Sequence, residues 1–408
     1  MIQIKELSNG IRIVHQEVAH TRLVHCGFIL NIGSRDESKE QEGLAHFWEH
    51  MAFKGTKRRK TFHIINRLES LGGELNAYTT KEKICFYASV LKEHYTKAAD
   101  LLFDITFNST FPLKEIEKER QVILEEMAMY RDSPDDSIQD ELDELVFENH
   151  ALGRNILGNE ETVRGFSQQD FFEFISSRLD TSQVVFSIIG NISFTKALRA
   201  IEGPLSQIPS KRTLYARSEF KHFQPKSKTI NREISQALAA MGRPAFSQFH
   251  PKRYKLFLLN NILGGPSMNS RLNLALREKY GYVYSIESTY QPFSDTGFFG
   301  IFFGTEEKTL SKSKQIVQRE LQKLRIKKLG TMQLHMAKEQ AIGQMAMAEE
   351  NYAALMLVFG KSLIDHGKID PLERIFEQIR KTTAEELLEI SNEIFDPEQL
   401  SYLTYTPN

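Results

Sequence analysis

Cysteine is scarce in this chain: Cys26 and Cys85 are the only two among 408 residues. No CxxC pair exists, which argues against a thiolate zinc site and against a disulfide framework. Both cysteines sit in apolar, strand-like stretches and read as buried free thiols. Tryptophan is scarcer still, with Trp48 alone. Long apolar runs are missing as well. Ala353 to Phe359 is typical of the longest, far below the ~20 residues of a membrane-spanning helix. The formal net charge is only −1, so nothing points to nucleic acid or a membrane surface as a partner. The N-terminus alternates as a strand would, with a turn at Asn9-Gly10. It has neither the apolar core of a secretory signal nor the Arg- and Ser-rich character of a transit peptide. A cytoplasmic protein is the resulting expectation.

What is present is a globular composition, 41% hydrophobic and 26% charged. The length exceeds one ordinary core, so two domains are expected. Residues 1–32 read as strands around a hairpin turn, and 42–54 as a helix closed by Gly55. A second helix over 62–71 is stopped by Gly72-Gly73. Residues 74–90 read as strand, interrupted at 79–83. Helices follow through 92–107, 113–131 and 134–149, the last opened by Ser133-Pro134. Strand returns over 183–189. From Gly203 to about Lys228, prolines, serines and local basic charge mark a linker. The division is therefore 1–205, a linker at 206–228, and 229–408. The second half repeats the order weakly: strand 234–240, helices 251–263 and 268–279, strands 282–303, then long amphipathic helices.

One pentapeptide carries chemistry. His46-Phe47-Trp48-Glu49-His50 reads H-x-x-E-H, the inverted zinc-protease signature. Two histidines four apart share a helix face and can share a metal. Glu49 can point at the same place, and a carboxylate beside a metal-activated water is a general base for hydrolysis. The second half has no such motif. A third ligand is needed, and the acidic stretch Glu115–Glu126 offers one. There Glu119, Val122 and Glu126 share a helix face, and spacing alone does not choose between the two carboxylates. His15, His20 and His25 recur every five residues, so in strands they alternate faces and do not converge on one metal. The run Lys57-Arg58-Arg59-Lys60 reads as a solvated helix exit.

These motifs, taken together, resemble the pitrilysin family of zinc peptidases, which includes insulin-degrading enzyme and the mitochondrial processing peptidase. The carrying residues are Gly33-Ser34-Arg35, the run from Gly43 to Thr56, Gly72-Gly73-Glu74-Leu75-Asn76-Ala77, the helix with Glu119 and Glu126, Leu152-Gly153-Arg154 and Ile156-Leu157-Gly158. The match is nearest to short bacterial, processing-peptidase-like members and covers nearly the whole chain. The resemblance implies an α+β fold of two tandem related modules, each a mostly antiparallel sheet with helices packed on it, half of a clamshell. It implies a zinc-dependent endopeptidase with one zinc per chain. Glu126 stands 76 residues after His50, the distance at which the family carries its third ligand, so the implied metal set is His46, His50 and Glu126. Glu49 is then the base and Glu119 the supporting glutamate. In the inactive second module, Arg277 and Tyr284 match residues that act on bound substrate. Glu74, Leu75, Asn76, Ala77 and Tyr78 match the edge strand that pairs with an extended peptide. Because the chain is half the length of larger members, a homodimer is the simplest assembly. A heterodimer with an inactive relative, or a non-catalytic partner role for this chain, is the alternative. The chain departs from the family pattern at Trp48, where leucine is commoner, at Pro266 in a usually glycine-rich turn, and at Asn155, where proline is frequent.

Overall fold

Runs rich in Val, Ile and Phe, punctuated by turn residues, form the strands of the computed structural model, which describes residues 1–408. Six strands make the first sheet: β1 (Ile2–Glu6), β2 (Arg12–Glu17), β3 (Leu23–Leu30), β4 (Glu74–Thr79), β5 (Ile84–Leu91) and β6 (Val184–Gly190). Their order is β1-β2-β6-β3-β5-β4. Only β2 and β6 run parallel; the other neighbours are antiparallel. The central strand β6 is buried along its whole length, which its unbroken apolar run requires. β4 lies at one end of the sheet.

The second sheet holds β7 (Ser227–Arg232), β8 (Ala237–Ala245), β9 (Val283–Pro292), β10 (Gly297–Thr305) and β11 (Ser401–Pro407). Its order is β7-β11-β8-β10-β9, with β7 and β11 parallel. Two mostly antiparallel sheets with helices around them meet the α+β expectation. Some elements differ from the sequence reading. The strand expected at 234–240 is β8, which starts three residues later and runs on to Ala245, and β7 precedes it, beginning inside the stretch expected to be linker. The helix expected over 268–279 is a π-helical turn at Asn273–Glu278. Strand β11, which no sequence signal announced, inserts between β7 and β8.

The chain divides into two compact units, and neither is continuous in sequence. The first comprises Met1–Met127, Arg154–Arg217 and Met347–Ile369; the second comprises Ala128–Gly153, Ser218–Ala346 and Asp370–Asn408. In the first, the helix Tyr352–His366 packs on β3 and β6. Its Met356, Phe359, Leu363 and Ile364 join Val14, Ile29, Cys85, Val185 and Ile189 in one core. Burial of each such side chain contributes roughly 1.5–3 kcal/mol. Gly360 sits against Ile29, where an added Cβ would lie 2.3 Å from Cδ1, so the missing side chain sets how closely the helix approaches. Lys83 and Asp365 pair at 2.7 Å across the same contact. In the second unit the helix Pro134–Val146 has the matching place. Its Ile138, Leu142 and Val146 pack with Leu238, Ala240, Phe298, Leu403 and Tyr405. The stretch 206–228 begins in the last turn of the helix Phe194–Ser206 and has neither helix nor strand from 209 to 226.

Two glycines fix the entry to the helix that carries the H-x-x-E-H motif. Gly43 has φ +93° and Gly158 has φ +79°, a region that side chains with a Cβ avoid. Their backbones also touch. A Cβ on Gly158 would lie 2.2 Å from the Glu42 carbonyl oxygen, and one on Gly43 would lie 2.4 Å from that of Leu157. Asn155 shapes the turn by accepting from the Leu157 N–H at 2.8 Å. Gly158→Ala is expected to cost about 2–3 kcal/mol in chemical unfolding. Gly343→Ala, in the helix Thr331–Glu349 with no neighbour within 4 Å, is expected to add about 0.5–1 kcal/mol.

Of the three evenly spaced histidines, His15 lies in β2, His25 in β3 and His20 on the surface between them. His15 is fully buried, and its Nε2 bonds the Ile192 carbonyl at 2.8 Å. Burial holds both His15 and His25 below the ordinary value of 6.5. As pH falls through 6.5 the unfolded chain takes up these protons first, so stability falls with pH below that point. His15→Gln should therefore flatten the fall of the thermal midpoint between pH 7 and pH 5.

Candidate metal centre

The motif lies on a helix of only eight residues, Leu44–Met51, too short to persist without support. Its N-terminus is held by the buried Glu37 side chain. Oε2 accepts from the Gly43 N–H at 2.9 Å and Oε1 from the Ala45 N–H at 2.7 Å, which satisfies donors that a helix start leaves open. Its inner face is aromatic. Phe47 meets Phe171 at 5.2 Å, and Trp48 meets Phe86 at 6.2 Å and Phe174 at 6.5 Å. With Phe47 and Trp48 packed into the aromatic core, the histidines at i and i+4 share another face of the helix, His46 buried and His50 half-buried, their rings 4.5 Å apart.

The helix Leu113–Asp132 supplies the carboxylates. Glu126 Oε1 is 3.8 Å from His46 Nε2, and Oε2 is 3.5 Å from His50 Nε2. Ligand atoms of His46, His50 and Glu126 all lie within 4.8 Å of one another. Three ligands at about 2.0–2.2 Å from one tetrahedral ion stand about 3.4 Å apart, so the set needs only a small contraction. Glu119 does something different. Its Oε1 is 3.0 Å from His50 Nδ1, and its Oε2 pairs with Lys54 at 2.6 Å. That bond places the His50 proton on Nδ1 and leaves the Nε2 lone pair for a metal. The two carboxylates of one helix face thus have separate positions, Glu126 among the imidazole Nε2 atoms and Glu119 behind one of them.

The charges favour a cation. Glu49, Glu119 and Glu126 set three carboxylates against the single ammonium of Lys54 in a partly buried cluster, an excess that a divalent ion would offset. Burial, aided by the neighbouring His50, lowers His46 to about 3, so its imidazole is neutral and able to ligate. Burial raises both Glu49 and Glu126 above the ordinary carboxylate value. Burial also pushes Glu119 upward, but bonds from His50 and Lys54 outweigh it and the net direction is down. His46 Nδ1 is buried without a hydrogen-bond partner, so this imidazole lacks the support that Glu119 gives His50.

The remaining expected residues have these places. Glu74, Leu75, Asn76, Ala77 and Tyr78 lie on β4, which packs against the motif helix. Arg277 and Tyr284 lie in the second unit and approach each other, the guanidinium 5.8 Å from the ring centroid. They line a cavity of about 500 Å³ together with Asp135, Glu287 and Phe302. Tyr284 is 87% exposed. The sequence reading assigned no part to Glu37, Lys54 as a partner of Glu119, or Thr79, whose hydroxyl donates to Glu49 Oε2 at 2.6 Å. Only Thr79 had a signal: it follows Leu75 and Ala77 at the two-residue period of a strand face. Replacing Glu119 with Gln is expected to weaken zinc retention by about 10- to 100-fold, measured by competition with a chromophoric chelator.

Comparison with known proteins identifies the family of the chain. The family model described as "Insulinase (Peptidase family M16)" matches residues 12–160, and "Peptidase M16 inactive domain" matches residues 165–341. An uncharacterized zinc protease of Bacillus subtilis, YmxG, is 34% identical over 397 residues, covering 97% of this chain and 96% of the relative. An uncharacterized zinc protease of Rickettsia felis is 33% identical over 398 residues, covering 96% and 94%. Among solved structures, a protease from Helicobacter pylori shares the fold with a TM-score of 0.91 at 19% identity, covering 100% of this chain and 99% of that one. A peptidase M16 inactive domain from Pseudomonas fluorescens also gives 0.91 at 18% identity, covering 100% and 98%. With both halves matched by that family's models and its zinc-protease relatives aligned along nearly the full length, the chain belongs to peptidase family M16.

Proposed function

We propose that this protein is a zinc-dependent endopeptidase that cleaves peptides or extended, unfolded segments of proteins. The observation that carries the reading is the convergence of His46, His50 and Glu126 beside the Glu49 carboxylate. His46, His50 and Glu126 would hold one zinc ion per chain, and Glu119 would orient His50. Zinc bound there supplies Lewis acidity toward a water and the scissile carbonyl. Glu49 accepts a proton from the attacking water and delivers it to the leaving amine nitrogen, so the carboxylate is restored at each turnover. Burial raises its pKa, the direction that makes a carboxylate a stronger proton acceptor. Arg277 and Tyr284 keep the part that the family resemblance gives them, as donors to the substrate carbonyl or its oxyanion.

β4 is the outer strand of its sheet, and an extended substrate would add to it through main-chain bonds, with Glu74, Leu75, Asn76, Ala77 and Tyr78 as the receiving strand. Such recognition reads backbone more than side chains, which favours unfolded segments of varied sequence. A homodimer is the assembly proposed, and sedimentation of the purified chain tests it.

The deciding experiment combines metal analysis with cleavage of a peptide mixture, with and without chelator. Expected are about one zinc per chain, cleavage that stops on chelation and returns with zinc, and a Glu49→Gln variant that retains zinc but loses at least about 100-fold in rate. A non-catalytic partner subunit would bind zinc or a second protein and cleave nothing. Cleavage by Glu49→Gln at the wild-type rate would remove Glu49 from the mechanism.

A further inference from the structure

Thr79 is the last residue of β4, paired with Ile84 of β5. Thirty residues separate it from Glu49, yet its Oγ1 donates to Glu49 Oε2 at 2.6 Å in a part-buried setting. A β-branched side chain has little freedom about χ1, so the direction of this hydroxyl follows from the backbone beneath it. That backbone is pinned. The turn after Thr79 closes through the Thr80 N–H to the Lys83 carbonyl at 2.8 Å. The 33–37 segment then lies along it: the Ser34 N–H donates to Thr80 O at 3.1 Å and the Arg35 N–H to Lys81 O at 2.8 Å. Gly33 allows that approach, since a Cβ there would fall 2.4 Å from Thr80 O. Arg35 pairs with Glu82 at 2.7 Å, and Arg217 pairs with Asp36 at 2.8 Å and with Glu82 at 3.5 Å, all of them largely buried. Two residues further on, Glu37 caps the helix that carries Glu49. The hydroxyl and the carboxylate therefore stand on two elements anchored to the same buried segment.

We propose that Thr79 is a positioning residue for the general base, its hydroxyl holding Glu49 by Oε2 and leaving Oε1 to exchange protons with water and leaving amine. The inference rests on the reading of Glu49 as the base. It gives β4 two duties: its outer edge would receive the substrate, and its last side chain would aim the group that acts on it. A carboxylate on a flexible two-methylene stem has several rotamers, and rates respond steeply to misplacement of a reacting group. The hydroxyl bond, added to the one that the Thr79 backbone makes to the same carboxylate, selects among them from a pinned strand.

The test uses the full-length, zinc-loaded chain with an extended peptide substrate, comparing wild type, Thr79→Val, Thr79→Ser and Glu49→Gln. Thr79→Val keeps the shape of the side chain and the backbone bond to Glu49 and removes only the hydroxyl donor. It should lower kcat by about 10- to 100-fold with KM, zinc content and thermal midpoint unchanged. Thr79→Ser keeps the donor and should recover most of the lost kcat. Wild-type kcat in Thr79→Val overturns the proposal. Equal loss in the Ser and Val variants, accompanied by a lower thermal midpoint, overturns it as well, because methyl packing rather than the hydroxyl would then be responsible. Failure of the underlying reading looks different: Glu49→Gln would cleave like wild type whatever the Thr79 variants do.

Discussion

The candidate metal centre depends on a carboxylate outside the proposed ligand set. Glu37 accepts from the Gly43 and Ala45 N–H groups and so ties the start of an eight-residue helix to the rest of the first unit. A helix of two turns has almost no stability of its own, and its aromatic inner face orients it only once its entry is fixed. The close approach of Gly43 and Gly158 fixes the same entry from the other side. From there the positions of His46, Glu49 and His50 follow by helical period, and the carboxylates of the Leu113–Asp132 helix meet them.

That dependence explains what the sequence disclosed and what it withheld. His46 and His50 were legible because a period of 3.6 puts residues four apart on one face regardless of surroundings. Glu119 and Glu126 were legible as a pair for the same reason, but their separate parts were not. The difference lies in which imidazole nitrogen each reaches and in the Lys54 ammonium that only Glu119 touches, contacts set by how two helices cross. Resemblance chose Glu126 where periodicity could not. Glu37 had no local signal at all, since a buried glutamate and a surface glutamate look alike until the fold surrounds one of them. The strands β1 to β3 and β6 followed from alternation and apolar runs. β11 did not, because its place between β7 and β8 is purely non-local. The covering helix Tyr352–His366 was legible as a helix, while its partner sheet, some 170 residues earlier at Ser187, was not.

Charge and burial work in opposite directions around the site, and the balance explains its polarity. Burial pushes Glu49 and Glu126 toward their protonated forms and His46 toward the neutral imidazole. Glu119 stays on the charged side because two cationic or donating partners face it. The result is a cluster whose buried carboxylates hold charge at a cost, and a divalent ion bound there would relieve that cost where a solvent-exposed polar helix face would have none to relieve.

The interleaving of the two units carries a consequence for how the protein is made. A ribosome delivers residues 1 to 217 long before Met347–Ile369, so the first sheet emerges with one apolar face still waiting for the helix that will close it. Domains that are contiguous can settle one after another as they leave the tunnel; this chain cannot complete its first half until most of its second half has been translated. The proposed metal ligands are therefore all synthesised early, but the scaffold beneath them is sealed late, and the interval between those events is when exposed Val, Ile and Phe surfaces would be open to chaperones or to neighbouring nascent chains.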